Sequence, residues 1–160
     1  MTGGPQRGFT LIELVVTVAI IGLLATAVIP SAQLMYQRER EVELRQALRT
    51  IRTAIDEYKR AAENGHIKVE VDQSGYPPSL QTLVDGVDDA RNPKEGVKLY
   101  FLRRVPRDPF WPDPAATAAD TWGLRSYASA PDDPQPGDDV FDVYSRSSRT
   151  GLNGVPYHDW

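Results

Sequence analysis

An uncharged apolar segment near the N-terminus most limits what this chain can become. Residues Leu14–Ile29 carry no charge, and the apolar pattern already begins at Phe9, with Glu13 as its one charged residue. A helix over the 21 residues Phe9–Ile29 would rise about 31 Å, close to the ~30 Å hydrocarbon core of a bilayer. The sequence therefore predicts one transmembrane helix over residues 9–30.

The residues around this segment indicate its orientation. Arg7 is the only charged side chain before Phe9, and positive residues favour the cytoplasmic side. Ala25 and Ala27 resemble a signal cleavage site, but the apolar pattern continues past them into a charged helix, unlike an ordinary secretory signal. The sequence thus predicts an uncleaved span with an exported C-terminal domain.

Glu13 lies just inside the apolar segment, and two explanations are open. A carboxylate near the end of a span can reach the head groups, because its cost of ~2.5–3.5 kcal/mol at the bilayer centre falls towards the interface. Alternatively, a cation meets it. If the chain were cut between Gly8 and Phe9, the new α-amino group, with a reference pKa of ~7.7–8.0, would be protonated four residues from Glu13. Such a pair can close within one chain or between neighbouring chains.

The stretch GFTLIELVVTVAIIGLLATAVIP resembles the class III signal of type IV prepilins and of type II secretion pseudopilins. The resemblance implies that residues 1–8 are a leader, removed after Gly8 by a prepilin peptidase that also N-methylates Phe9. It further implies a filament in which Glu13 neutralises the amine of an adjacent subunit. We therefore expect an inner-membrane protein with a periplasmic C-terminal domain.

Gly22 and Pro30 interrupt the apolar helix, and proline removes a backbone hydrogen bond from a helix interior. We expect a bend or local melting between them. After Pro30, residues 31–64 predict an amphipathic helix that stops at Asn64-Gly65. Its apolar stripe consists of Leu44, Leu48, Ile51, Ile55 and Tyr58. Its charged face, which we expect to be solvated, includes Arg38, Glu39, Arg40, Glu41 and Glu43.

Residues 65–160 are predicted to form a globular head with long loops, since eleven of the 13 prolines follow residue 75. The stretch GYPPSLQTLVDG predicts a short helix that starts near Pro77 or Pro78 and ends before Gly86. Strands are predicted at Lys98–Leu102, Gly123–Ala128 and Val140–Ser145. A small antiparallel sheet packed on the long N-terminal helix would give an α+β fold.

Several stretches of the head resemble the major pseudopilin of type II secretion. They are, in order, YPPSLQTLV, YFLRRVPRDPF, TWGLRSYAS and FDVYSRSSRTGLNGVPYHDW. The family's Asp-Pro-Trp-Gly run is divided here into Asp108-Pro109-Phe110 and Trp122-Gly123 by the insertion WPDPAATAADT. The resemblance implies a pilin-like fold in which the long helix packs on the small sheet.

The resemblance also implies a terminal loop that often binds Ca²⁺, an ion that takes six to eight oxygen ligands. The candidate ligands are Asp142, Asn153 and Asp159, with Asp138 and Asp139 as further acidic residues nearby. Asn153 stands where the family usually has aspartate, and Asp159 lies closer to Trp160 than the family's second aspartate. A structural Ca²⁺ therefore competes with the simpler explanation that these side chains are solvated.

No pattern in the sequence predicts catalysis. His66 and His158 are far apart, and no nucleophile motif, phosphate-binding loop or zinc-binding histidine pair is present. The acidic pairs Asp132-Asp133 and Asp138-Asp139 have no partner for acid–base chemistry. With no cysteine, the chain has no disulfide and no thiolate metal site.

The charge distribution argues against nucleic-acid binding. Residues 72–160 hold 14 acidic and 9 basic side chains, whereas a phosphate-binding face needs a basic surplus. Arg103, Arg104 and Arg107 near Phe101 and Phe110 are therefore not predicted to form such a face. The tryptophans Trp111, Trp122 and Trp160 are predicted to be core or loop anchors.

These features lead to one hypothesis and two alternatives. We expect a structural subunit of a type II secretion pseudopilus, with itself, other pseudopilins, the prepilin peptidase and the inner-membrane assembly platform as partners. Gly8 and Phe9 are the predicted processing residues, and Phe9, Glu13, Gly22 and Pro30 the predicted assembly residues. The alternatives are a type IV pilus subunit for adhesion, motility or DNA uptake, and a membrane-tethered binding module that does not polymerise.

Overall fold

The computed structural model describes residues 8–92 and 96–160, and for residues 26–32 it describes the backbone but not the side chains. Residues 1–7 of the predicted leader therefore lie outside the described part of the chain. The chain divides into two compact units, one ending at Glu39 and the other spanning Arg40–Trp160. Helix α1, Leu11–Glu63, contributes residues to both units.

Helix α1 confirms the predicted long N-terminal helix. It is uninterrupted over its 53 residues, so the local melting expected between Gly22 and Pro30 is wrong, while the bend stays a prediction. Proline in a helix interior costs about 3 kcal/mol because one hydrogen bond is lost. The helix continues because the hydrogen bonds on both sides of that position are still available to it.

The end of α1 is set by Asn64-Gly65, as predicted. Gly65 has a φ of 74°, a left-handed conformation that glycine adopts without steric cost. Its N–H donates to the carbonyl of Ala62 at 2.9 Å, and the N–H of His66 donates to Ala61 at 2.9 Å. These two bonds form a Schellman motif, which satisfies carbonyls that the helix end would otherwise leave without partners.

The second unit is built on the predicted apolar stripe. All five of its residues are at most 6% exposed: Leu44, Leu48, Ile51, Ile55 and Tyr58. Buried side chains of the head complete the core, among them Leu80, Leu83, Leu102, Val140 and Val143. Burial of each such side chain contributes about 1.5–3 kcal/mol relative to exposure, so the stripe determines which face of α1 the head covers.

The predicted short helix is present but starts later than expected. Helix α2, Thr82–Asp85, begins after Pro77 and Pro78, where the Ser79 hydroxyl accepts a hydrogen bond from the Thr82 N–H at 3.2 Å. It ends at Gly86, whose φ is 74°. The Ser79 hydroxyl thus bonds the first residue of α2 from three positions earlier, while Gln81, directly before the helix, makes no side-chain capping bond.

The described part of the head contains two small antiparallel sheets rather than the single sheet predicted. Strand β1, Val87–Asp88, pairs with β2, Lys98–Leu99, and β1 was not predicted. Strand β3, Trp122–Arg125, pairs with β4, Asp142–Ser145, so that Trp122 lies opposite Ser145. The α+β fold class is confirmed.

All three predicted strands are shorter in the structure, because neighbouring backbone groups bond elsewhere. The N–H groups of Phe101 and Leu102 both donate to the carbonyl of Leu83, at 3.0 and 2.9 Å. After β3, the N–H of Ser126 donates to Gln135 at 3.0 Å. These bonds tie the ends of the predicted strands to α2 and to a loop, and strand pairing stops there.

The insertion between Phe110 and Trp122 folds back on the preceding loop. Arg107 Nη1 donates to the carbonyl of Ala116 at 2.6 Å, and its Nη2 donates to the carbonyl of Asp113. A guanidinium has five donors in a rigid planar arrangement, which suits it to hold two carbonyls of one turn. Arg107 is thus a structural residue of this loop.

Candidate functional site

The first unit exposes an apolar helix surface. Phe9 and every large apolar side chain from Leu11 to Leu24 are exposed, from 49% at Val16 to 85% at Leu11. Soluble monomers rarely expose apolar patches larger than a few hundred Å², and larger ones mark contact with lipid or protein. This surface is therefore a contact surface.

Thr10 caps the start of α1 and involves Glu13 in the cap. The Glu13 N–H donates to the Thr10 hydroxyl oxygen at 3.3 Å, and the Leu14 N–H donates to the Thr10 carbonyl at 3.2 Å. The sequence Thr-x-x-Glu before an apolar run is the signature of a capping box. This cap was not predicted from the sequence, and the bond observed runs from the Glu13 N–H to the Thr10 hydroxyl, so it involves the Glu13 backbone rather than its carboxylate.

The Glu13 side chain lies exposed at the N-terminal end of this apolar surface. Among the residues whose side chains the structure describes, none donates a hydrogen bond to its carboxylate or forms an ion pair with it. A carboxylate in the first turn of a helix is favoured by ~0.3–1 kcal/mol through the helix dipole. Its charge remains available to a cation.

Other residues of the apolar segment behave as ordinary helix residues. The Thr17 hydroxyl donates to the carbonyls of Glu13 and Leu14, both at 2.9 Å, so it leaves no unpaired donor in apolar surroundings. A methyl group added at Gly22 would meet no atom within 4 Å. Packing within one chain therefore does not require glycine at position 22.

The predicted transmembrane helix covers residues 9–30, but the side chains from residue 26 onwards lie outside the described ones. The Pro30 side chain is among them. Where side chains are described, no helix is both long and apolar enough to cross a membrane.

The calcium candidates of the head each have separate partners. Asp142 Oδ1 accepts a hydrogen bond from Arg52 Nε at 2.7 Å. Asn153 Oδ1 accepts one from the Val155 N–H at 3.1 Å. Asp159 lies 3.0 Å from His158 Nε2. Within residues 8–92 and 96–160, no three His, Asp or Glu side chains are grouped so that they could hold a metal ion.

The acidic pair Asp138-Asp139 contributes to loop structure. Asp139 Oδ1 accepts a hydrogen bond from the Tyr127 N–H at 2.8 Å, and Oδ2 accepts one from the Ser74 hydroxyl. Asp138 is exposed. The carboxylate of Asp139 therefore joins two loops of the head.

Glu41 is a buried structural residue, so the prediction that it lies on a solvated face is wrong. It is only 4% exposed, and its Oε1 accepts hydrogen bonds from the Leu152 N–H at 2.8 Å and the Tyr157 hydroxyl at 3.0 Å. Position 41 precedes Leu44 by three residues and so continues the apolar stripe. That spacing was the signal for its burial.

Two aspartates of the head have shifted pKa values. Burial raises the pKa of Asp108, and hydrogen bonds from the Ser145 hydroxyl and the Phe110 N–H offset part of that effect. The pKa of Asp89 is lowered, first by the hydrogen bond from the Arg91 N–H and then by the one from His66. Both carboxylates stabilise loops of the head.

The aromatic residues serve as anchors. Trp122 is buried and its Nε1 donates to the carbonyl of Pro106 at 2.8 Å, which confirms the prediction for this residue. Phe110, which follows Arg107 by three residues in the sequence, stacks on Tyr157 with ring centroids 4.1 Å apart. The Arg45 guanidinium lies 4.2 Å from the ring centroid of Trp160, a cation–π contact.

The chain is similar in sequence to known proteins. Residues 4–29 match the family model of the prokaryotic N-terminal methylation motif. The chain is 33% identical over 114 residues to the type II secretion system core protein G of Klebsiella pneumoniae, covering 68% of this chain and 71% of that protein. For the protein of the same name from Pseudomonas aeruginosa the identity is 31% over 112 residues, covering 68% and 70%.

A third relative, the type II secretion system core protein G of Vibrio cholerae serotype O1, is 30% identical over 113 residues, covering 68% of each chain. No solved structure gives a significant match. The similarity covers two thirds of the chain, well beyond the N-terminal motif. The chain therefore belongs to the family of the type II secretion system core protein G, the major pseudopilin.

Proposed function

We propose that this chain is a structural subunit of a type II secretion pseudopilus that polymerises in the periplasm to drive protein export. The observation that carries the proposal is the exposed apolar surface of the first unit, with the Glu13 carboxylate at its N-terminal end. Surface of this kind needs a bilayer before assembly and neighbouring subunits afterwards. The role is structural rather than catalytic.

Processing begins at Gly8 and Phe9. Both residues are exposed and precede the first residue of α1, so the peptide bond between them is accessible to a prepilin peptidase. Cleavage removes residues 1–8 as a leader and leaves an α-amino group on Phe9, which is then methylated. The exposure of residues 8–10, which precede the helix, supports cleavage at this position.

The new amine pairs with Glu13 of an adjacent subunit. Two opposite charges 4 Å apart attract each other by about 1 kcal/mol in bulk water and by about 4 kcal/mol at an effective dielectric of 20. An unpaired carboxylate in the apolar interior of a filament would in turn be costly. Pairing therefore both favours insertion of a new subunit and fixes its register.

The chain has a functional division along its length. Residues 9–30 form the inner-membrane anchor and later the filament core, in which Gly22 and Pro30 contribute to packing between subunits. Residues 31–64 carry the helix into the periplasm, and residues 65–160 form the periplasmic head. The inner-membrane assembly platform and the other pseudopilins are the partners during polymerisation.

Two measurements test the proposal. Mass spectrometry of the chain from native membranes is expected to show a polypeptide that starts at methylated Phe9. Glu13→Ala is expected to leave the amount of membrane-inserted chain unchanged and to reduce the yield of sheared filaments at least tenfold, about 1.4 kcal/mol or more. Glu57→Ala removes an exposed glutamate from the part of α1 that lies in the second unit and is the matched control.

A native chain that still begins at Met1 would overturn the processing step. Equal filament yields for Glu13→Ala and Glu57→Ala would overturn the charge-pairing step. A native chain that keeps its leader and sediments as a monomer is the outcome that the membrane-tethered module predicts, and a processed chain that sediments only as a monomer would overturn the polymerisation step.

A further inference from the structure

Arg52 gathers three oxygen atoms of the head onto one guanidinium group. Its Nε donates to Asp142 Oδ1 at 2.7 Å, and its Nη2 donates to the carbonyl of Val143 at 3.1 Å and to the main-chain oxygen of Trp160 at 2.9 Å. These acceptors belong to β4 and to the segment that follows it, residues 146–160. One cation of α1 thus connects the helix to two parts of the head that are distant in sequence.

The Asp142 carboxylate is surrounded by positive protein groups. Arg125 Nη2 lies 3.7 Å from the second carboxylate oxygen, Asp142 Oδ2. Asp142 and Arg52 are both partly buried, with side chains 29% and 38% exposed. Charge-assisted hydrogen bonds of this kind are about twice as strong as neutral ones. The carboxylate therefore has two guanidinium partners.

The oxygen set that Arg52 binds is the type that a hard divalent cation would take. Ca²⁺ binds carboxylates and main-chain carbonyls at 2.3–2.6 Å and needs about six to eight oxygens. Here one carboxylate and two main-chain oxygens face the guanidinium instead. A calcium ion at this position would lie directly beside a fixed positive charge, which opposes binding.

The remaining calcium candidates do not supply a second site. Asn153 is neutral and its Oδ1 already accepts the Val155 N–H. The Asp159 side chain is 53% exposed and lies beside His158. The donor set of this chain therefore does not fit the calcium ion that the family resemblance implies.

The segment that follows β4 is held by several further contacts with α1. Glu41 accepts hydrogen bonds from Leu152 and Tyr157. Trp160 contacts both the guanidinium of Arg45 and the ring of Tyr157, whose centroid is 5.0 Å from that of Trp160. An acceptor and two cations of α1 thus hold the second half of this segment.

We infer that Arg52 takes the place of a divalent cation in this chain, so that the head folds and remains stable without calcium. Arg52 is a positioning residue: it orders the segment between β4 and Trp160 from the side of α1. This inference does not depend on the proposed polymerisation, because it concerns the fold of a single chain.

The test uses the full chain in mild detergent and follows thermal unfolding by tryptophan fluorescence, since all three tryptophans lie in the second unit. The Tm of the wild-type chain is expected to be the same in excess EGTA and in millimolar CaCl₂. Arg52→Ala is expected to lower the Tm by about 5–10 °C. Arg52→Lys keeps the positive charge but loses the planar guanidinium, and its Tm is expected to lie between those of wild type and Arg52→Ala.

Arg49→Ala is the matched control, because Arg49 is an exposed arginine one turn earlier on α1. A Tm for Arg52→Ala equal to that of Arg49→Ala would overturn the inference. A wild-type Tm that rises in CaCl₂ or falls in EGTA would overturn it as well, and this comparison stays decisive even if Arg52→Ala fails to fold.

Discussion

The hydroxyl of Tyr157 donates a hydrogen bond of 3.0 Å to Glu41 Oε1, across 116 positions of sequence. Tyr157 is fully buried and Glu41 nearly so. The same oxygen accepts the Leu152 N–H at 2.8 Å. A single carboxylate of α1 therefore satisfies two donors of the last segment and joins it to the helix.

Replacement of Glu41 tests this connection. Glu41→Ala leaves the Leu152 N–H and the Tyr157 hydroxyl without this acceptor, and we expect a loss of about 2–4 kcal/mol in the free energy of unfolding. Glu41→Gln keeps an oxygen acceptor and is expected to lose only about 1 kcal/mol. Urea unfolding of the full chain in detergent, followed by tryptophan fluorescence, measures both. Exposed Glu43→Ala is the control, and a loss as large as that of Glu41→Ala would contradict the prediction.

Asp108 is expected to affect stability in a pH-dependent way. Burial raises its pKa above the ordinary value of 3.8, so the folded chain takes up this proton at a higher pH than the unfolded chain. Between these two pKa values the native state binds more protons, and stability rises as the pH falls. The wild-type chain should therefore gain stability relative to Asp108→Asn when the pH is lowered from neutral to about 4.

The hydrogen bonds of Asp108 provide a second test at neutral pH. Asp108→Ala removes the acceptor of the Phe110 N–H and of the Ser145 hydroxyl and is expected to cost about 2–4 kcal/mol. Asp132→Asn changes an exposed carboxylate and serves as the control for charge. If the free energies of unfolding of wild type and Asp108→Asn differ by the same amount at every pH, the pH dependence predicted from the raised pKa of Asp108 is refuted.

Asp89 is expected to show the opposite pH dependence. Its pKa is lowered below 3.8 by hydrogen bonds from Arg91, His66 and Asn92. Its contribution is therefore fully present above pH 3.8 and is lost as the pH falls through the lower folded value. Unfolding curves of wild type and Asp89→Asn should differ at neutral pH and converge in acid. Asp88→Asn, an exposed neighbour, should match the wild type throughout.

Ile51 tests the contribution of the apolar stripe. It is fully buried, and Ile51→Ala is expected to cost about 2–5 kcal/mol, because the removed atoms lose their burial and leave a cavity. Val42→Ala changes a valine of the same helix that is 61% exposed and should stay within about 0.5 kcal/mol of wild type. Equal losses in urea unfolding would show that the stripe is not the core.

The long helix and its buried face could be predicted because both depend on local regularity. The spacing of Leu44, Leu48, Ile51, Ile55 and Tyr58 needs no knowledge of the partner surface, since any head that folds on α1 must cover that stripe. The stop at Asn64-Gly65 is also local, because glycine adopts the left-handed conformation of the Schellman motif without steric cost. Strand β1 could not be found in this way, since a strand of two residues has no periodicity to detect.

The divided motif of the family shows what sequence alone leaves open. The Asp108 N–H donates to the Thr121 hydroxyl oxygen at 3.1 Å, and Trp122 Nε1 donates to the Pro106 carbonyl at 2.8 Å. Each half of the motif therefore bonds to a residue beside the other half, so the two halves lie close together although an insertion separates them. Nothing in the spacing indicates this contact, because it depends on how the inserted loop closes.

The sequence by itself determined the apolar segment, the position of Glu13 within it and the extent of the helix, since each follows from the order of neighbouring residues. Only the tertiary structure decided that Glu41 accepts from Leu152 and Tyr157 and that Arg52 meets Asp142. These two side chains acquire their partners from segments more than 80 positions away, and helical periodicity does not specify which oxygen or N–H those segments bring.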